Sequence, residues 1–106
     1  MGERGQIKFE NSGVYLYTRW EGDTIKEKLK TALSKRWRWN DEEYLTRIVF
    51  DVMVHGLNGE ETGFGIGTIK HYDLNYPLLV VDVKQQKIKE EDKEWSFDEF
   101  LEEGIK

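Results

Sequence analysis

The chain of 106 residues contains no cysteine, a single proline and no long apolar run. The absence of cysteine excludes disulfide bonds, thiolate zinc sites and a cysteine nucleophile. No run approaches the ~18 consecutive apolar residues that a membrane-spanning helix needs, and residues 1–10 lack the apolar stretch of a signal peptide. These absences predict a cytoplasmic protein that does not associate with a membrane.

Charged residues are abundant, at 35% of the chain, and aromatic residues make up a further 13%. A chain of this length and composition predicts one globular domain over residues 1–106. The net charge of −5 is unevenly distributed, because residues 1–39 carry nine Lys and Arg against five Asp and Glu. This basic third either complements the acidic remainder of the molecule or offers a surface to an anionic partner.

A β-hairpin is predicted at the start of the chain, because strand-forming residues at 6–10 and 14–20 flank turn residues at 10–13. Alternation along the second strand assigns four side chains to one face: Val14, Leu16, Thr18 and Trp20. It assigns Tyr15, Tyr17 and Arg19 to the opposite face. A solvent-facing surface ordinarily carries Thr, Lys or Glu, so the two tyrosines are predicted to be covered by a partner, a second copy or the chain's own helices.

Three helices are predicted from capping signals and apolar periodicity. The first covers 24–37, with Trp37 at the end of its apolar stripe, and the second runs from Asn40 to a glycine stop near Gly56. The third is short and begins with a capping box at Ser96.

The remaining apolar runs predict strands at 66–70, 78–84 and 87–91. The run at 78–84 indicates a central strand covered on both faces. The element order ββααβββα predicts an α+β fold: an antiparallel or mixed β-sheet with two central helices and a short C-terminal helix packed on it.

A resemblance to other proteins is carried jointly by these stretches: GVYLYTRW at 13–20, RWNDEEYLTRIVFDVM at 38–53 with ETGFGI after it, YPLLVVDV at 76–83 and WSFDEFLE at 95–102. The chain thereby resembles a group of small microbial and phage proteins of unknown function that have an MGxR-like start and a GVYLYTHW-like strand. The resemblance implies a shared fold and no function, although occurrence in phage genomes is compatible with an accessory or host-interaction protein. Where such relatives often carry histidine this chain has Arg19, whose guanidinium has no lone pair for a metal or a proton.

Acid–base chemistry could use the stripe formed by Arg47, Asp51 and His55, which are spaced four residues apart on the second helix. The functional interpretation is an Asp–His pair, and the structural one is a row of i,i+4 ion pairs. The sequence positions no serine, cysteine or threonine as a nucleophile. We therefore favour the ion-paired row and predict no catalytic residue.

Metal and phosphate sites are poorly supported. His71, Asp73 and Asp82 are too few ligands, without a recognisable spacing, for a metal centre. Gly63, Gly65 and Gly67 lack the lysine and serine of a phosphate-binding loop, so we attribute them to close backbone approach or a bulge. We predict neither a metal nor a cofactor.

The densest functional-looking stretch is KRWRW at 35–39. Tryptophan, tyrosine and arginine dominate interface hot spots, and five such residues are candidates for partner binding: Tyr15, Tyr17, Arg19, Trp37 and Trp39. We predict a non-enzymatic interaction module that binds a protein partner or itself as a homo-oligomer. The alternatives are a nucleic-acid-binding accessory protein, with Lys35, Arg36 and Arg38 on phosphates, or a small hydrolase or metal enzyme.

Overall fold

The computed structural model describes residues 3–55 and 63–102 and has the predicted α+β fold, with a mixed sheet. The six strands in chain order are β1 Gly5–Phe9, β2 Val14–Thr18, β3 Phe64–Gly67, β4 Leu79–Asp82, β5 Lys87–Glu90 and β6 Lys93–Ser96. They lie in the order β3-β2-β1-β4-β5-β6, and every neighbouring pair is antiparallel except β1 and β4. The β1–β2 pair is the predicted hairpin.

The helices are α1 Ile25–Ser34, α2 Glu42–Met53 and α3 Phe97–Glu102, with a short 3₁₀ turn at Gly22–Thr24. The predicted capping box of α3 is confirmed, since the Ser96 hydroxyl accepts from the Glu99 N–H and the Glu99 carboxylate accepts from the Ser96 N–H. None of the helices in the described residues is long and apolar enough to cross a membrane. The glycine stop expected at position 56 lies outside the described residues.

The core lies between one face of the sheet and the helices. Strand residues on this face are buried: Ile7, Phe9, Leu16, Leu79, Val81 and Ile88. They form one cluster with the buried residues of α1, α2 and α3. The opposite face carries half-buried side chains such as Tyr15, Tyr17 and Val80. The prediction that 78–84 is central is therefore confirmed. The helices cover one face of β4, while on the other face Val80 is half-buried and Asp82 is buried.

Two tryptophans depart from their predicted places. β2 ends at Thr18, whose hydroxyl accepts from the Glu21 N–H, and Trp20 beyond it is 55% exposed instead of lying on the core face. α1 ends at Ser34, so Trp37 is not part of the helix and is 59% exposed. In both cases the strand or helix ends before the apolar periodicity of the sequence ends.

Candidate functional site

Tyr15 and Tyr17 lie on the open face of the sheet, the face without helices among the described residues. Their neighbours in β3 are Gly67 and Gly65, and a Cβ atom added at either glycine would have no atom within 4 Å. The ring of Tyr17 stacks on the imidazole of His71, with ring centroids 4.1 Å apart. The segment after β3 thus covers one side of Tyr17 and leaves the strip over the glycines open.

The segment between α1 and α2 has an unusual backbone. Arg36 and Arg38 both adopt left-handed conformations, with φ of 58° and 59°. Such a conformation costs a residue with a Cβ roughly 1–2 kcal/mol. Contacts elsewhere hold the two arginines: Arg36 donates to Asp98 at 2.8 Å, and the Arg38 guanidinium lies 4.3 Å from the ring centroid of Tyr44.

This backbone sends two tryptophans in opposite directions. The Trp39 indole turns inward, donates to the Leu33 carbonyl at 3.1 Å and packs edge-on against Phe97. Trp37 turns outward, and its ring has the Lys35 ammonium 5.2 Å from its centroid. Of the two, Trp37 is exposed and Trp39 packs against the core.

Trp37 borders a groove of about 550 Å³ between α1 and α2, on the side of the helices away from the sheet. Apolar and hydroxyl groups of Thr31, Ile48 and Val52 line it, with five ionisable residues around them: Lys28, Lys35, Arg47, Asp51 and His55. The carboxylate of Asp51 accepts from Arg47, and that of Glu21 from Lys28. Two of the three lining cations are thus paired with carboxylates, and the third, Lys35, lies over Trp37 at the edge of the groove.

The groove also holds the elements of the Asp–His hypothesis, so its catalytic competence can be judged. Asp51 binds Arg47, and no hydrogen bond within the described residues joins it to His55. The Thr31 hydroxyl donates to the Glu27 carbonyl at 3.0 Å, one turn back in its own helix. Neither an oriented base nor an activated nucleophile is therefore present, and the arrangement favours the ion-paired row.

The residues weighed as metal ligands lie apart. His71 meets Tyr17 and Gln6 at one end of the sheet, whereas Asp82 accepts from the Gln85 N–H in the β4–β5 turn. Asp73 pairs with Arg4 at 3.5 Å. The described residues contain no group of three or more acidic, histidine or cysteine side chains that could hold a metal ion.

The three cations considered for nucleic acid point in different directions. Arg36 pairs with Asp98 and Arg38 with Asp41, while Lys35 lies over Trp37. Arg19, at the end of β2, has its guanidinium 5.8 Å from the ring centroid of Trp20. Two of the three cations are thus already paired with carboxylates, which lowers the positive potential that a phosphate would meet.

The sequence reasoning missed the side of the groove formed by α1. Lys28, Thr31 and Lys35 recur at intervals of three and four, so they form one stripe of α1. This stripe faces the Arg47–Asp51–His55 stripe of α2 across the groove. This periodicity indicates the stripe on α1. The two stripes form one surface only because α1 packs against α2. Comparisons with protein-family models, with curated proteins and with solved structures find no match to this chain.

Proposed function

We propose that the chain is a non-enzymatic interaction module that binds an acidic, amphipathic segment of a protein partner in the groove between α1 and α2. The observation that carries this proposal is Trp37, an indole 59% exposed at the edge of a groove with an apolar lining. Tryptophan is the residue type most enriched at interface hot spots, and a neighbouring groove can accept apolar side chains of the partner.

The backbone of the loop supports the same proposal. Left-handed Arg36 and Arg38 require free energy from contacts elsewhere, and the result is a fixed outward direction for Trp37. Backbone strain of this kind is concentrated at functional sites. Pre-ordering a large side chain lowers the entropy that is lost when a partner binds.

Charge selects the chemistry of the partner. Lys28 and Arg47 are paired with Glu21 and Asp51, so the positive charge at the groove edge comes from Lys35 beside Trp37. A partner segment with Asp or Glu beside its apolar residues would complement this charge, whereas a basic segment would be repelled. An amphipathic helix laid along a groove between two helices is a common form of such a segment.

The first experiment identifies the segment. A displayed library of random peptides of about 16 residues, roughly four helical turns, is selected with the tagged chain. We expect enriched peptides to combine acidic residues with Trp, Phe or Leu. Binding of one enriched peptide is then measured by fluorescence anisotropy.

Substitutions then test whether the peptide occupies the groove. Trp37→Ala and Lys35→Glu are each expected to weaken binding at least about tenfold, or about 1.4 kcal/mol. Tyr72→Ala removes an aromatic side chain that is fully exposed elsewhere and serves as the control. Equal affinity for the Trp37→Ala variant would refute the groove as the site, and retention of oligonucleotides with a steep salt dependence would favour the nucleic-acid alternative.

A further inference from the structure

The strand β3 forms one edge of the sheet. Among the described residues it pairs only with β2, so the peptide groups on the outer side of Phe64–Gly67 have no partner strand. An exposed edge of this kind is a template for another strand. Sheets normally protect such edges with charge, proline, a bulge or a covering element.

The two edges of this sheet differ in protection. The other edge, β6, carries Lys93 and Glu94, and Glu94 pairs with Lys87 of the neighbouring strand. The strand β3 has no charged residue, and its Ile66 is 63% exposed. The edge that would reject a second strand by charge is β6, and the edge that would accept one is β3.

We propose that β3 pairs antiparallel with β3 of a second copy of this chain, in a register centred on Ile66. The sequence Gly65-Ile66-Gly67 reads the same in both directions, so a two-fold axis at Ile66 places each glycine opposite the other glycine. A self-complementary patch of this kind is what an isologous dimer requires. The two six-stranded sheets would then join into one.

Side chains around the two-fold axis fit this register. Ile66 shares its face of the sheet with Leu16, and pairing would bring it against Ile66 of the second copy. Ile66, 63% exposed in one chain, thus gains cover from the same residue of the second copy.

Charge does not oppose this contact. Each chain carries −5, which disfavours unspecific self-association, but an uncharged seam brings no like charges into apposition. The strand is short, so the buried area falls in the range of weak complexes. We expect a dimer that forms at about 100 μM and dissociates near about 1 μM.

The test is sedimentation velocity over that concentration range with two variants. Ile66→Lys puts a charge on the β3 edge at an exposed position, where the fold tolerates it, and is expected to abolish the dimer. Glu94→Lys puts the same lysine on the β6 edge and is expected to leave the dimer intact. Far-ultraviolet circular dichroism and a thermal melt establish that both variants fold.

Hydrogen exchange locates the contact in the wild-type chain. Exchange of the amides of 64–68 is expected to slow as concentration rises, and not to slow in the Ile66→Lys variant. A wild-type chain that stays monomeric at about 100 μM, or a dimer that survives Ile66→Lys, would overturn the proposal. Ile66 does not line the groove between the helices, so peptide binding there is expected to persist in the Ile66→Lys variant.

Discussion

At the residue scale, Tyr76 ties the segment before β4 to the N-terminal segment. Its hydroxyl donates to the carboxylate of Glu3, and the N–H groups of Asn75 and Tyr76 donate to the Arg4 carbonyl. The ring of Tyr76 also lies close to Gly22, where an added Cβ would stand 2.9 Å from a ring carbon and 2.5 Å from the Glu3 carbonyl oxygen. One phenol thus holds together three stretches that are distant in the chain.

The hydrogen bond to Glu3, together with desolvation, raises the pKa of Tyr76 from 10.0 to about 12. Because the folded-state pKa is the higher one, the stabilisation is fully present below pH 10 and is lost as the pH rises towards 12. We expect the wild-type chain to lose its stability advantage over the Tyr76→Phe variant across that interval. Urea unfolding at several pH values measures the difference.

The titration itself supplies the control for this prediction. The ¹³Cζ resonance of Tyr76 should titrate well above the ordinary tyrosine value of 10.0, and Glu3→Gln should return its pKa towards that value, since it removes the largest cause of the shift. Titration of Tyr76 near 10.0 in the wild-type chain would contradict the assignment.

At the element scale, the loop from Lys35 to Asn40 sets the directions of the Trp37 and Trp39 side chains. The strain in its left-handed backbone can be measured. Arg38→Ala and Arg38→Gly remove the same side-chain contacts, but only glycine adopts the left-handed conformation without cost. Relief of roughly 1–2 kcal/mol of strain exceeds the roughly 0.5–1 kcal/mol that glycine loses in chain entropy. We therefore expect the glycine variant to be more stable than the alanine variant by about 0.5–1 kcal/mol.

Chemical denaturation of the two variants side by side gives this difference. We also expect weaker peptide binding in Arg38→Gly than in Arg38→Ala, because Trp37 is then held less firmly, so that stability and binding change in opposite directions. A glycine variant that is less stable than the alanine variant would mean that the left-handed backbone at this position carries no strain.

The elements that could be predicted from the sequence are those with local signals. The capping box at Ser96 and Glu99 and the turn between β1 and β2 are both contained within a few residues, and both are present. The left-handed turn at Arg36 ends α1 earlier than the apolar periodicity does, and one of its contacts is with Asp98, 62 positions away. The opposite directions of Trp37 and Trp39 depend on that long-range contact, so no local sequence pattern predicts these directions.

The groove and the β3 edge could not be predicted from the sequence either, because both depend on contacts between distant parts of the chain. The Arg47–Asp51–His55 stripe is visible in the sequence, but the second wall of the groove depends on how α1 packs on α2. The parallel pairing of β1 with β4 joins strands that are about 70 residues apart and sets the sheet order, which leaves β3 at the edge. Long-range pairing of this kind is determined by the whole fold.

At the scale of the whole molecule, the sheet has one face in the core and one face without helices among the described residues. Adjacent residues of β2 sample the two faces, since Leu16 is fully buried beneath the helices and Tyr15 is half-buried on the open side. The cover of Tyr17 is intermediate between these two, because His71 stacks on one side of its ring. The three positions lie within one strand, so the backbone context is the same for each.

This asymmetry predicts unequal costs of truncation along β2. Leu16→Ala leaves a cavity in the core and is expected to lower the free energy of unfolding by about 2–5 kcal/mol. Tyr15→Ala removes little buried surface and should cost only about 1 kcal/mol, mostly through lost strand propensity. Tyr17→Ala should fall between them, and a His71→Ala background should reduce its cost because the two rings share one contact. Urea denaturation of the three single variants, of His71→Ala and of the Tyr17→Ala/His71→Ala double variant measures these values. Equal costs at positions 15 and 16 would mean that the open face is covered as fully as the core face, and the surface around the tyrosines would then be unavailable to any partner.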